Sequence, residues 1–281
     1  LPIYTIMLEK FNLSGKTVLI TGAAGILGKE HAEALLEVNS SLILTDIDQK
    51  KLLNLQDHLY KKYDSKKIHI FKMDVSDPDS VFEVSKKLDN SNIFVDILIN
   101  NASIDAKFDN GNLPTGTRLE NFSLKQWEEE ISVGLTGCFL CCKVFGTKMA
   151  KSNKNGVIIN IASDLSVISP DQRLYLDESL PEDEQKVKPI TYSVIKSALV
   201  GMTKYLSTYW IDGSVRVNSL SPGGIFNNQD EEFVNRISKL IPLGRMAASD
   251  EYRSAIQFLC SDASSYLNGQ NIVMDGGRSV W

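Results

Sequence analysis

The chain has 281 residues, 43% of them hydrophobic and 23% charged, which are ordinary globular proportions. Its formal net charge of -5 and pI near 5.4 leave no basic face for nucleic acid. No uninterrupted apolar run reaches the roughly 20 residues of a membrane span, so no membrane partner is expected. The first residues, Leu1 to Met7, lack the charged region and cleavage site of a secretory signal. Met7 offers an alternative start, so residues 1–12 read as an N-terminal extension to a single domain over 13–281. Cys138, Cys141, Cys142 and Cys260 have no partners at metal-ligand spacing, and His31, His58 and His69 share no motif. The cysteines read as small buried hydrophobes of a reducing cytoplasm, and no metal is expected.

Short apolar runs alternate with longer amphipathic ones. Lys16–Ile20 is a strand run that ends in a glycine loop, and helical spacing follows from Ile26 to Val38. Ser41–Asp46 is the second strand, Gln49–Tyr63 a helix and Ile68–Met73 the third strand. Asp77-Pro78 opens a helix with Asp as cap and Pro in the first turn. Val95–Ile99 and Val157–Ile161 are strands separated by a long helix, Leu124–Met149. A helix over Tyr192–Tyr209, a strand at Val215–Ser219 and a last short strand at Asn271–Met274 complete the order. Continuous Val/Ile/Leu runs mark strands covered on both faces. The pattern predicts an α/β fold: one doubly wound Rossmann-type domain, a parallel sheet of about seven strands with helices on both faces. Residues 102–122 and 164–189 break the alternation and read as long loops of the kind that carry function.

The loop Thr21-Gly22-Ala23-Ala24-Gly25-Ile26-Leu27-Gly28 follows the first strand and opens a helix. Glycines there allow a tight turn and bring backbone N–H groups to a pyrophosphate at a helix N-terminus. Asp46 ends the second strand eighteen residues after Gly28. A carboxylate there accepts from both adenosine ribose hydroxyls and repels a 2′-phosphate, and Thr45, Ile47 and Asp48 supply no cation to hold one. NAD is therefore expected rather than NADP. Asp74 and Val75 after the third strand can flank adenine, and Asn100, Asn101 and Ala102 end the fourth beside the same crevice.

Tyr192 and Lys196 lie four apart on a helix and share one face. An ammonium beside the ring and the nicotinamide cation both favour the phenolate, bringing a phenol into working range as an acid/base group. Tyr63 and Lys67 match the same spacing and act as an internal decoy. Ser163, just past the fifth strand, can hydrogen-bond a substrate oxygen, and Pro222-Gly223 after the sixth can place backbone against nicotinamide.

Together these motifs resemble the short-chain dehydrogenase/reductase family, from about Leu13 to Asp275-Gly276-Gly277. The resemblance implies an NAD-dependent oxidoreductase acting on a hydroxyl or keto carbon of a small substrate. It assigns Tyr192 as acid/base, Lys196 as its electrostatic partner and ribose ligand, and Ser163 as substrate orienter. The cofactor would lie along Gly22, Gly25, Ile26, Leu27, Gly28, Asp46, Asp74, Val75, Asn101, Ala102, Tyr192, Lys196, Pro222, Gly223, Ile225 and Asn227. Four features depart from the family pattern. The glycines fall at the second, fifth and eighth positions of the loop, a spacing more like that of nucleotide-sugar-modifying members. Gly134 stands where an Asn usually completes a catalytic tetrad, and Asn227 stands for the Thr that binds the carboxamide. Ser163 and Tyr192 are separated by twenty-nine residues, about twice the usual spacing, so 164–189 is an insertion beside the substrate site.

The insertion and the run Lys188 to Lys196 also resemble a bacterial subgroup associated with flagellin or surface-glycan modification, which implies a sugar-like or polyol substrate. The insertion's acidic excess suits a polar lid; within it Arg173 reads first as a surface residue of a solvated loop and second as a clamp for a phosphate or carboxylate. Two alternatives stand beside this reading. A 3-oxoacyl thioester reductase would favour NADP and a basic docking patch, and a non-catalytic NAD-binding scaffold is motivated by Gly134. The many apolar and small residues from Ile131 to Val144 predict a homodimer or homotetramer.

Overall fold

The computed structural model describes residues 9–104, 116–152, 154–210 and 215–281. Seven strands form one sheet: β1 (Thr17–Thr21), β2 (Ser41–Asp46), β3 (Ile68–Lys72), β4 (Ile97–Asn100), β5 (Gly156–Ile161), β6 (Val215–Pro222) and β7 (Asn271–Met274). Their order is β3-β2-β1-β4-β5-β6-β7, and every neighbouring pair is parallel. The order reverses between β1 and β4, which opens a crevice at the carboxyl ends of the strands, where ligands of such sheets bind.

Burial on both faces explains the continuous apolar strands. Val18 and Ile20 of β1 face one core cluster while Leu19 between them faces the other. The first cluster receives Leu35 of α1 (Ile26–Glu37), Leu52 and Leu59 of α2 (Gln49–Tyr60), and residues from near the C-terminus. The second receives Val81 and Val84 of α3 (Pro78–Asn90), then Cys141 and Phe145, and Ile195 and Leu199. Asp48 and Asp77 cap α2 and α3 by accepting from Lys51 and Asp79 N–H groups at 3.0 Å.

The long helix α4 spans Leu124–Lys151, capped by Ser123 and interrupted by two π turns at Ser132–Thr136 and Cys142–Gly146. By length and composition it is apolar enough to cross a membrane, which corrects the expectation that no segment is. Its apolar surface has another use in this fold: Cys138, Cys141, Cys142, Phe145 and Met149 are buried in the second core cluster. The next helix, α5 (Ile190–Tyr209), starts two residues before the expected Tyr192, at a turn made by Pro189. Two helices escaped the sequence reading, α6 (Glu231–Ser238) and α7 (Arg253–Cys260). Their signals were present: Asp230 caps Phe233 N–H at 2.8 Å, and Tyr252, Ile256 and Leu259 repeat at helical spacing in the first cluster.

The insertion is a built segment. It holds 3-10 turns at Asp164–Ser166, Gln172–Tyr175 and Glu182–Glu184. Leu174 is buried with Phe233, Ile237, Ile241 and Met246 in a third cluster that joins the insertion to α6. Arg236 of α6 donates to Leu176 O at 2.6 Å, and Arg118 donates to Glu182 O at 2.8 Å. Of the other expected loop, 105–115 and the N-terminal residues 1–8 lie outside the described residues.

Candidate active site

The glycine loop is shaped by its lack of side chains. Gly22 has φ +60°, and a Cβ on it would sit 2.7 Å from the Ala102 Cα. A Cβ on Gly28 would meet Gly22 O at 2.5 Å, so α1 can approach the loop only with glycine there. Asn101 ties the two chain segments together. Its side-chain amide donates to Thr21 O at 3.0 Å and Gly22 O at 2.9 Å, while Asn101 and Ala102 N–H both donate to Thr21 Oγ1 at 3.0 Å. Gly25 caps α1 without a side-chain hydrogen bond, and the first turn, with Ile26 and Leu27, holds no acidic residue. The helix therefore presents free N–H groups and the positive end of its dipole to the crevice, a fit for a dinucleotide's pyrophosphate.

Asp46 bounds that cradle. Its Oδ2 accepts from Ala24 N–H and its Oδ1 from Asp48 N–H, each at 3.0 Å. Asp48 is paired with Lys51 at 3.3 Å. Asp74 accepts from both N–H and Oγ of Ser76, at 2.9 Å and 2.6 Å, and Val75 is buried against Gly137, whose Cβ would lie 2.7 Å from Val75 Cγ2. A small pocket lined by Thr21, Val75, Ala102, Gly134 and Gly137 sets the π turn of α4 beside the glycine loop.

At the other end, Lys196 is 6% exposed and donates from Nζ to Ile161 O at 3.0 Å, which anchors α5 to the end of β5. The same ammonium lies 5.6 Å from the centroid of the half-buried Tyr192 ring. A second ammonium, Lys188, stands over that ring at 3.8 Å, a contact the sequence reading missed because Lys188 precedes the helix. Thr191 donates to the buried carboxylate of Glu130, which also accepts from Gln126 at 2.9 Å, so α4 holds the first turn of α5 in place. Ser163 is 4% exposed and caps the turn after β5, against which α5 packs. The elements thus bring Ser163, Tyr192 and Lys196 to one end of the sheet.

The decoy pair has the opposite environment. Tyr63 donates to Glu33 at 3.2 Å, and partial burial together with the Glu33 and Glu37 charges pushes its phenol up to about 12. A phenol held protonated in this way cannot serve as a base near neutral pH.

Gly134 lies buried inside the π turn Ser132–Thr136, and a Cβ on it would come within 2.9 Å of Ile195 Cγ2. The helix distortion is retained, and the space for an Asn side chain is filled by Ile195. Pro222 ends β6 and is buried, and a Cβ on Gly223 would meet the Asp275 Cα at 2.8 Å. Ile225 bridges Ala247, while Asn227 is exposed, its N–H donating to Gln229 at 2.7 Å. Arg173 does not present an open clamp. Asp171 takes its Nε at 2.8 Å and Nη2 at 2.7 Å, and the side chain is 85% exposed. That local fork occupies the edge a substrate anion would need, and Arg173 stands as a surface residue of the loop, the more frequent of the two readings for it. The four cysteines are buried and free, and burial pushes the Cys260 thiol up to about 12, so they behave as core residues.

The short chain dehydrogenase family matches residues 16–175, more than half of the chain, and the enoyl-(acyl carrier protein) reductase family matches 183–279. The chain belongs to the short-chain dehydrogenase/reductase family. It is 30% identical over 278 residues to D-threitol dehydrogenase of Mycolicibacterium smegmatis, covering 96% of this chain and 95% of that one. Identity is also 30% over 275 residues to a 3-oxoacyl-[acyl-carrier-protein] reductase of Aquifex aeolicus, covering 95% and 99%. An NAD-dependent glycerol dehydrogenase of Listeria innocua is 27% identical, with 97% of both chains covered. Among solved structures, a short-chain dehydrogenase from Leptospira borgpetersenii with bound NAD+ superimposes with a TM-score of 0.81 at 30% identity, covering 97% of this chain and 95% of that one. A gluconate 5-dehydrogenase from Burkholderia cenocepacia in complex with NADP and tartrate gives 0.82 at 25%, covering 98% and 99%. As a short-chain dehydrogenase/reductase, the protein is an oxidoreductase that uses a nicotinamide cofactor.

Proposed function

We propose that this enzyme transfers a hydride between NAD and a carbinol or keto carbon of a small polyol or sugar-like substrate. The observation that carries the reading is the buried Lys196 ammonium, fixed to the end of β5 and set beside the Tyr192 ring. Bound at Gly22–Gly28 with its ribose against Asp46, NAD would supply the hydride acceptor. Tyr192 takes the hydroxyl proton during oxidation and returns it during reduction. Lys196 and Lys188 favour the phenolate through their charge. Ser163 orients the substrate from the end of β5. The insertion, packed on α6 through Leu174, closes over the substrate and excludes water.

NAD is favoured because Asp46 puts a carboxylate at the edge of the glycine loop, where a 2′-phosphate would meet like charge. The polyol class draws support from the acidic, hydroxyl-compatible insertion and from relatives whose names specify threitol and glycerol. The resemblance to the flagellin and surface-glycan subgroup extends the reading to a sugar destined for such a glycan. A 3-oxoacyl thioester reductase is the second reading, favoured by the 30% identity to the Aquifex enzyme. The test is to titrate NAD and NADP, then follow nicotinamide reduction with D-threitol, glycerol, D-gluconate and D-mannitol, and oxidation with an acetoacetyl thioester. Tighter NAD binding and turnover of a polyol or sugar acid are expected. Preference for NADP with turnover of the thioester alone would select the second reading.

A further inference from the structure

The insertion sets one of its own charges against the reactive tyrosine. Lys188 is half-buried, and its ammonium stands 3.8 Å from the Tyr192 ring centroid, closer than the 5.6 Å of Lys196. The backbone that carries it is pinned by separate segments. Lys188 N–H donates to Gln172 Oε1 at 2.9 Å, and Gln172 Nε2 donates back to Lys188 O at 3.5 Å. Val187 N–H donates to Oγ1 of the buried Thr117 at 3.1 Å. Pro189 is buried and sets the direction of the chain into α5. Gln172 opens the turn whose Leu174 packs on α6, so Lys188 reaches the ring only while the insertion lies against the fold.

Holding a long, flexible lysine in one geometry opposes its side-chain entropy, and a neutral ring offers it only the attraction of the ring quadrupole. A phenolate adds a full negative charge, part of it spread into the same ring, so the ammonium favours the deprotonated form by more. Among the described residues, the other charged groups around this turn of α5 come from three elements. Lys196 is on α5 itself, and its ammonium is bonded to Ile161 O. Glu130 on α4 accepts from Thr191, the residue beside the tyrosine. Asp164, in the turn after β5 that packs on α5, is paired with Arg278 at 2.8 Å, which offsets its charge. Lys196 therefore works against the Glu130 carboxylate, and Lys188 tips that balance.

We infer that Lys188 is a positioning residue through which the insertion, when it lies closed, readies Tyr192 to give up its proton. Lid and base are then one device, and an open lid leaves a weaker base. This rests on the reading of Tyr192 as the acid/base group of a polyol oxidoreductase.

The test titrates the phenol directly, by ultraviolet difference spectroscopy of each protein against its Tyr192→Phe counterpart. Wild type is compared with K188M, K188R and K186M, the last losing the same charge elsewhere on the insertion. K188M should raise the Tyr192 midpoint by about one pH unit, the lower end of what a neighbouring charge does. K188R should restore it, and K186M should leave it in place. In polyol oxidation, kcat/KM of K188M should fall about tenfold on the acidic limb and rejoin wild type above the raised midpoint, where the phenol is already deprotonated. Replacing 168–186 by a Gly-Ser link removes Gln172 and keeps Lys188. That midpoint should rise as in K188M, and adding K188M should raise it no further. An unmoved midpoint in folded K188M, an equal shift in K186M, or no restoration by arginine would each overturn the inference. So would a further shift on adding K188M to the shortened chain, or a K188M rate loss that is the same at every pH. Should no polyol be turned over, the polyol reading fails, and the spectroscopic midpoint still decides whether Lys188 acts on Tyr192.

Discussion

Two tyrosines with a lysine four residues on show how little spacing alone decides. Tyr192 has ammonium groups at its ring, whereas Tyr63 has Glu33 on its hydroxyl. Positive charge favours a phenolate and negative charge opposes it, so only Tyr192 is suited to move a proton. Tyr63→Phe should leave turnover within about twofold of wild type, the outcome for a residue outside the chemistry, whereas general acid–base groups contribute about a hundredfold or more. Steady-state rates on any accepted polyol check this, and a Tyr63→Phe defect of the larger size would show the wrong pair was chosen. Asp46 makes the second residue-scale case. Asp46→Ala should weaken NAD about tenfold or more, from the loss of charge-assisted hydrogen bonds to the ribose. It should also narrow the gap to NADP in the same titration. A variant that binds NAD as tightly as wild type would remove Asp46 from the cofactor site.

At the scale of elements, α1 carries a pH-dependent cost. His31 is fully buried, neither ring nitrogen has a hydrogen-bond partner among the described residues, and burial pushes its imidazole down to about 3. The unfolded chain, with an ordinary histidine near 6.5, binds that proton more readily, so the stability from the neutral ring is complete above 6.5 and drains away as pH falls. Between pH 6.5 and 5 the loss should be about 1.6 kcal/mol, the slope rising toward 1.36 kcal/mol per pH unit as the unfolded histidine becomes fully protonated. Denaturant melts at both pH values should show this slope, and His31→Leu should flatten it. The insertion is the other element to test. Replacing 168–186 by a brief Gly-Ser link removes Leu174 from its cluster with Phe233 and Ile237. Substrate KM should rise, or turnover disappear, with NAD still bound. Full kcat/KM in the shortened enzyme would assign the insertion to assembly rather than to a lid.

The strands were legible because both faces of this sheet are covered, so each one reads as an unbroken Val/Ile/Leu run. The glycine loop and the Tyr192–Lys196 face were legible because their geometry is local. α6 and α7 were overlooked because each is only eight residues long, with two or three residues facing inward, too short for the period to stand out. Asp164 and Arg278 carried no signal at all, since nothing in a local pattern pairs residues so far apart. Arg173 is the reverse case: its partner is two residues away, within the same turn, as befits the surface residue its sequence context favours.

For the molecule as a whole, α4 leaves Thr136, Phe139 and Lys143 exposed along one stripe, with Phe139 50% accessible. A homodimer or homotetramer that covers this face is expected, so light scattering at micromolar concentration should give a multiple of 31.2 kDa. Phe139→Lys should shift that mass toward the monomer, and a wild type already monomeric would contradict the assembly. The oxidoreductase account itself rests on Tyr192 moving the proton that accompanies hydride transfer. Its most direct test is the initial rate of nicotinamide reduction by wild type and Tyr192→Phe, at saturating NAD, on the polyol the wild type accepts best. The account predicts a fall of about a hundredfold or more in turnover with NAD affinity nearly intact. Equal rates for the two proteins would contradict it.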